Sequence, residues 1–171
     1  MKKLIIVRGL PGSGKSFLAN QLYEKYDYDR CNTVEENVHC LDIFSTDYFW
    51  ERPNNYYDFN PRLLKEAHQW NYSCFNRFMK AYKLYNAIAI LDNTNITWSE
   101  IEQYVMKAKD LDYSIEILEP DTSWKYDPEE CHKRNTHGVP LETIKRMHSK
   151  WRSTESLLEK INRIINITKS L

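Results

Sequence analysis

The stretch "IVRGLPGSGKSFL", residues 5–17, places three of the chain's four glycines, Gly9, Gly12 and Gly14, within six positions. It fits the pattern G-x-x-x-x-G-K-[ST], with Gly9, Gly14, Lys15 and Ser16 at the fixed positions and the apolar run Leu4 to Val7 leading in. Such a run reads as a buried strand, a tight loop and a helix start. Glycines let the loop wrap with its N–H groups inward, and the N-terminus of the following helix adds partial positive charge at the same place. The expected occupant, and the reason for the glycines, is a phosphate chain held by Gly9, Pro11, Gly12, Ser13, Gly14, Lys15, Ser16 and Phe17. Lys15 would reach the outer two phosphates, and the Ser16 hydroxyl is placed to ligate a magnesium ion. A glycine-rich surface turn would explain the glycines but neither the Lys-Ser pair nor the strand before it.

Outward from this loop, "KSFLANQLYEKY" carries Phe17, Leu18 and Leu22 at helical spacing, and "HCLDIFSTDYF" reads as a second strand ending near Ser45. A long helix begins at Asn60-Pro61, an N-cap followed by proline at the first helical position, with an apolar face of Leu64, Ala67, Trp70, Cys74 and Phe78. "AIAILD" suits a central parallel strand with Asp92 at its carboxyl end. "TWSEIEQYVMKAKDL" predicts a helix capped by Thr97 with Glu100 three residues on, and "YSIEILEP" a further strand. Residues 128–135 and 140–151 read as two short helices hinged at "THGVP", and 153–168 as an amphipathic C-terminal helix. Strands alternating with helices predict an α/β fold, with a central parallel sheet of four to five strands covered on both faces and a helical lid at about 125–140. Chemistry then gathers at the carboxyl ends of the strands, where the phosphate loop, Asp47 and "DNTN" (Asp92 to Asn95) all fall.

At 171 residues the chain is expected to form one domain, 1–171. Zero formal net charge and ample apolar content exclude a disordered tail and a strongly basic nucleic-acid coat, so any nucleic-acid contact is local. Charge is uneven. Residues 133–152 hold six Lys and Arg against Glu142 alone, and residues 27–58 hold eight acids against Arg30 and Arg52. The basic segment reads either as an anion-handling face or as a solvated helix surface. The opening "MKKLIIVRG" has only four apolar residues before Arg8, too few for a signal peptide, and no run approaches membrane-spanning length. A soluble protein inside the cell, cytoplasmic or nuclear, is expected, with Cys31, Cys40, Cys74 and Cys131 as free thiols. Cys131-His132 lacks a second pair at zinc spacing and reads as packing.

Candidate site residues follow from their places at strand ends. Asp47 is positioned to accept a proton from an attacking hydroxyl, its alternative being a helix cap. Asp92 suits a magnesium-linked role, or else caps a turn with Asn93 and Asn95, which would bind the acceptor or fix the loop. Arg134, with Lys133 as rival, sits ahead of the glycine-containing hinge, where a mobile lid would bring a cation over the transferring phosphate; the alternative is a solvated helix charge. His132, His137 and His148 read as surface or rim residues. Trp124 is either a stacking platform for a base or core.

Taken in unbroken order, "GLPGSGKS", "STDYF", "FNPRLLKEAHQWN", "DNTN" and "EPDTSWKYDPEECHKRNTHGVPLETIKRM" resemble the 5′-hydroxyl polynucleotide kinase branch of the P-loop kinases, over about residues 3–152. The resemblance implies a P-loop kinase fold and transfer of the γ-phosphate of ATP, or another NTP, to the 5′-hydroxyl end of DNA or RNA with magnesium. It implies that Lys15 and Ser16 serve the donor phosphates, that Asp47 is the general base and that Arg134 is the lid arginine. Asn93 stands where phage kinases carry an acceptor-binding aspartate. One departure is that "THG" follows the "RN" pair, so His137 stands nearest to a second lid arginine. Without room for a phosphatase module, the chain is expected to phosphorylate ends and leave 3′-phosphates alone. Two other functions use the same loop: a small-molecule or nucleoside kinase, and a nucleotide-binding recruiter with little turnover.

Overall fold

The apolar run ahead of the glycines forms strand β1, Lys2–Val7. Successive strand side chains point to opposite faces, so β1 feeds two cores. The computed structural model describes residues 1–32, 40–53 and 56–168, without the side chains of 28–32, 52, 56 and 166–168. β1 lies between β5 (Ala87–Asp92) and β6 (Ser114–Leu118), with β2 (Cys40–Phe44) outside β5; all pairs in this order, β2-β5-β1-β6, are parallel. Four parallel strands fall within the expected number. On one face Leu4, Ile6, Ala89 and Leu91 pack against helices α2 (Leu64–Ala81), α3 (Trp98–Asp110) and α6 (Thr154–Thr168). On the other, Ile5, Val7, Ile88 and Ile90 pack against α1 (Lys15–Asn32) through Leu18, Ala19 and Leu22. Burial from both sides explains why β1 and β5 read as continuous apolar runs, each fully buried isoleucine contributing about 1.5–3 kcal/mol.

Three local expectations need correction. The buried face of α2 is Ala67, Asn71, Phe75, Phe78 and Met79, whereas Leu64 and Trp70 are 41% and 38% exposed. Asn71 marks this row as polar, yet its amide donates to the Tyr104 hydroxyl at 3.3 Å, which makes it tolerable in a core. Trp70 packs edge-on against Phe49 instead. Asn60 does cap, but it caps a short 3₁₀ turn, Pro61–Leu63, that feeds α2, its side chain accepting from the Arg62 N–H at 3.0 Å. At α3, Thr97 holds the cap position while its hydroxyl donates to the Glu100 carboxylate at 2.8 Å and accepts no helix N–H. Glu100 reaches back past the cap to the Ile96 N–H and the Thr94 hydroxyl, so it ties down the preceding turn in place of closing a capping box.

A two-stranded antiparallel hairpin, β3 (Glu51–Arg52) with β4 (Tyr56–Tyr57), was not legible, because strands of two residues are too short for alternation to register. It returns the chain under Trp50, where Asp58 N–H donates to the Trp50 carbonyl and Phe59 meets the Trp50 ring.

The segment expected as a lid, about 125–140, holds α4 (Pro128–Arg134), capped by the Asp127 carboxylate, and leads into α5 (Leu141–Ser149). Its base is docked on the phosphate loop. Cys131 and Ile144 form a third core with Leu10 of the phosphate loop, flanked by Trp124, Val139, Met147 and Trp151. No helix among the described residues is long and apolar enough to cross a membrane. Cys40, Cys74 and Cys131 are free thiols; the side chain of Cys31 lies outside the described residues.

Candidate active site

Register sets the site. Val7 pairs with Asp92, and Phe44 with Leu91, so the residues after β1, β2 and β5 leave the sheet along one edge. The loop after β1 is held by Gly9 N–H on the Thr94 carbonyl at 3.1 Å and Ser13 N–H on the Leu10 carbonyl at 3.0 Å. Gly12 and Gly14 have φ of 84° and 97°, which side chains rarely adopt. At two of the glycines the protein's own atoms also leave no room for a side chain. A Cβ on Gly9 would lie 2.2 Å from Ser13 Oγ, and one on Gly12 would lie 2.0 Å from the Cys131 carbonyl oxygen. Ser13 of the loop itself fills the first space, and α4, packed onto the loop, fills the second. Thr122 Oγ1 donates to the Ser13 carbonyl and Trp124 Nε1 to the Gly12 carbonyl, tightening the same contact. Gly14 meets only Thr122 and Pro120 side chains at 3.3 Å and beyond, and it borders the open cleft.

That cleft, of about 300 Å³, runs from Gly12, Gly14, Lys15 and Ser16 to the lid's Arg134, Asn135, Thr136 and His137. Phe17 is 69% exposed at its rim and not in the core. Lys15 is buried at the start of α1. Asp92 is 5% exposed, and its Oδ1 has no hydrogen-bond partner. Burial pushes its carboxyl above the ordinary aspartate value, against the pull of Lys15 and a hydrogen bond from Ser16. A buried unpartnered carboxylate oxygen beside a serine hydroxyl suits a hard divalent cation. Among the described residues no group of three or more His, Cys, Asp or Glu side chains converges to hold a metal. Ser16 and Asp92 therefore fit magnesium completed by phosphate oxygens and water.

Asp47 lies in a 3₁₀ turn, Thr46–Phe49, whose cap is Ser45: Ser45 Oγ accepts from the Asp47 N–H at 3.3 Å. Asp47 is thus not the cap, and its carboxylate is left for other work. Tyr57 Oη donates to Asp47 Oδ1 at 2.7 Å, and His137 Nε2 stands 3.7 Å from Oδ2. The Tyr57 and His137 rings are 4.5 Å apart. Burial, then the Asp47 hydrogen bond, push the Tyr57 hydroxyl far above its ordinary value, so it remains a donor. Tyr57 was missed in the sequence; the only signal was aromatic density after Asp47, and the hairpin that aims it was invisible. Asn93 Oδ1 accepts from the Thr46 N–H at 2.9 Å and so fixes the turn carrying Asp47. Asn95 is 1% exposed, with φ 49°, and its amide donates to the Val7 and Leu91 carbonyls. Of its two expected roles this is loop fixing.

On the lid, the Arg134 guanidinium lies 4.0 Å from the Trp124 ring centre and 3.6 Å from Glu130 Oε2. Lys133 pairs with Glu130, and Lys145 with Glu129 at 3.0 Å. The basic segment therefore carries less free charge than its sequence indicates, because the acids just before it fold back on it. Trp124 is engaged by the loop, by Arg134 and by the third core, which favours packing over base stacking.

Arg8, read earlier only as an interruption, is fully buried. It donates to Thr154 Oγ1, the Arg152 carbonyl and the Ile96 carbonyl, lies 3.4 Å from Glu119 Oε1 and stacks 4.0 Å from the Trp151 ring. It fastens the end of β1 to the end of the lid.

The AAA domain family matches residues 4–153, and the chain belongs to that family. It is 37% identical to human NEDD4-binding protein 2 over 94% of its own length, and 27% identical to rat 2′,3′-cyclic-nucleotide 3′-phosphodiesterase over 85%. The chain spans 9% and 30% of the length of these two relatives. Among solved structures it is similar to a chain of the Pnkp1/Rnl/Hen1 RNA repair complex, with a TM-score of 0.59, 20% identity, and coverage of 93% of this chain and 46% of that one. That likeness shows a shared P-loop kinase-like fold.

Proposed function

We propose that residues 1–171 form a single kinase domain that transfers the γ-phosphate of ATP to the 5′-hydroxyl end of DNA or RNA, working inside the cell. The observation that carries this reading is Asp47, a half-buried carboxylate clamped by Tyr57 and 3.7 Å from His137, which lines the phosphate-loop cleft. The acceptor hydroxyl gives its proton to Asp47 as its oxygen bonds to the γ-phosphorus, and the bond to the β-phosphate oxygen breaks, releasing ADP. Lys15 and the loop N–H groups hold the donor phosphates, and Arg134, pre-stacked on Trp124, is presented to the charge that develops. Ser16 and Asp92 would hold magnesium, which when bound neutralises phosphate charge. Asn93 supports the acceptor side indirectly, through Thr46.

The relatives' names support nucleic-acid end chemistry, one being a cyclic-nucleotide phosphodiesterase and another a member of an RNA repair complex. The pairing of Lys133 and Lys145 with acids favours a second reading, a small-molecule or nucleoside kinase with the same machinery. The test of the catalytic assignment is Asp47→Asn in single-turnover transfer to a 5′-hydroxyl oligonucleotide, with ATP affinity and melting temperature measured on the same preparation. Asparagine keeps the shape but takes no proton near neutral pH, so the rate falls about 10²- to 10⁴-fold while ATP affinity and stability hold. An unchanged single-turnover rate contradicts the assignment.

A further inference from the structure

Behind the Asp47 turn, on the outer face of α2, lies a second and larger concavity, an open groove of about 820 Å³. Arg62, Leu64, Lys65, His68, Tyr72 and Gln103 line it, and no carboxylate does. Arg62 and Lys65 are exposed and, among the described residues, pair with no acid, unlike the cations of the lid. Leu64, 41% exposed, and the half-buried Tyr72 add apolar surface. The groove reaches the catalytic turn through His68, whose Nδ1 lies 3.2 Å from Thr46 Oγ1, and Thr46 is the neighbour of Asp47. Burial holds His68 below the ordinary histidine range, so Arg62 and Lys65 supply the charge.

We propose that this groove is the acceptor track: Arg62 and Lys65 bind the phosphates of a single-stranded nucleic acid just 3′ of the hydroxyl that reaches Asp47. The proposal rests on the kinase reading above and adds where the strand lies. Two free cations facing a carboxylate-free groove match a polyanion, while the ring and aliphatic surface suit unstacked bases, which bind apolar faces with little sequence preference. From Arg62 to His68 the chain advances roughly 9 Å at about 1.5 Å per residue, room for two or three nucleotides at about 3.4 Å each. A small-molecule acceptor has no use for the groove.

The experiment is fluorescence anisotropy of a 3′-labelled, 5′-hydroxyl 12-mer, as DNA and as RNA, across a salt series. It compares the unaltered chain, the double variant Arg62→Ala/Lys65→Ala and the control Lys80→Ala/Lys83→Ala, two exposed cations at the far end of α2. The groove variant is expected to bind at least 10-fold more weakly at low salt, with a log–log salt slope shallower by about 1.4, since each single-strand phosphate contact contributes about 0.7. ATP affinity and melting temperature should hold, and the Lys80/Lys83 control should bind as the unaltered chain does. Equal affinity and slope in the groove variant, or no binding by the unaltered chain, overturns the proposal. Because binding is read without turnover, the two readings fail separately. A chain that binds through Arg62 and Lys65 but transfers no phosphate keeps the groove and loses the kinase; one that transfers with the same KM in both forms keeps the kinase and loses the groove.

Discussion

At the scale of single residues, Asp92 carries the sharpest tension between stability and function. Its carboxylate is buried at the end of β5 with one oxygen unpartnered, and burial raises its folded pKa above the ordinary value of 3.8. The unfolded chain ionises Asp92 near that ordinary value. Above it, folding must hold an anion where burial disfavours one, and the cost grows with pH until the folded carboxyl has also ionised. Asp92→Asn removes the cost. In EDTA at pH 7.5 it should raise stability by about 1–2 kcal/mol, a few degrees in melting temperature, and the advantage should shrink as pH falls towards 4. Phosphate transfer with magnesium should meanwhile drop at least 10-fold. A lower melting temperature for Asp92→Asn at pH 7.5 contradicts the account. Residue positions at strand ends were readable because the motif and the alternation put them there. The reason for Gly12 was not, since its neighbour Cys131 is distant in the chain and a sequence does not show which surfaces meet.

Among the elements, the lid is fastened by the cluster of Arg8, Glu119, Trp151 and Thr154. Burial pushes Glu119 upward, but hydrogen bonds from Thr154 and Tyr126 and the charges of Arg8 and Lys125 outweigh it and leave the carboxyl below its ordinary value. A lowered folded pKa gives stability that is present above the ordinary glutamate value and is lost as pH falls through the folded one. Glu119→Gln should therefore cost about 1–3 kcal/mol at pH 7, with the gap from the unaltered chain closing below about pH 4; thermal melts across pH check it. A constant gap at every pH would assign the loss to packing. The start of α4 near residue 128 was legible in the sequence, whereas the Asn60 and Thr97 caps were not read correctly. The face of α2 was misread because Asn71 belongs to the core only once Tyr104 is beside it, and the lid's docking depends on contacts of the same distant kind.

For the molecule as a whole, parallel topology does most of the positioning. Once β1 and β5 are central, every loop after a strand opens on one edge, so the phosphate loop, the Asp47 turn and the Asp92 segment converge without further instruction. That much was readable from alternating strands and helices. The hairpin that supplies Tyr57, and the acid pairs that quiet the lid's positive charge, required the folded chain. The central claim is that this edge moves a γ-phosphate onto a nucleic-acid 5′ end. Its most direct test is transfer from γ-labelled ATP with magnesium, offered in parallel to 5′-hydroxyl DNA and RNA oligonucleotides, the same oligonucleotides already 5′-phosphorylated, and free nucleosides. The account predicts label on the 5′-hydroxyl oligonucleotides, none on the phosphorylated ones, much less on nucleosides, and a loss of about 10²-fold or more in Lys15→Ala. A folded, ATP-binding chain that leaves 5′-hydroxyl oligonucleotides unlabelled, or labels nucleosides in preference to them, would contradict it.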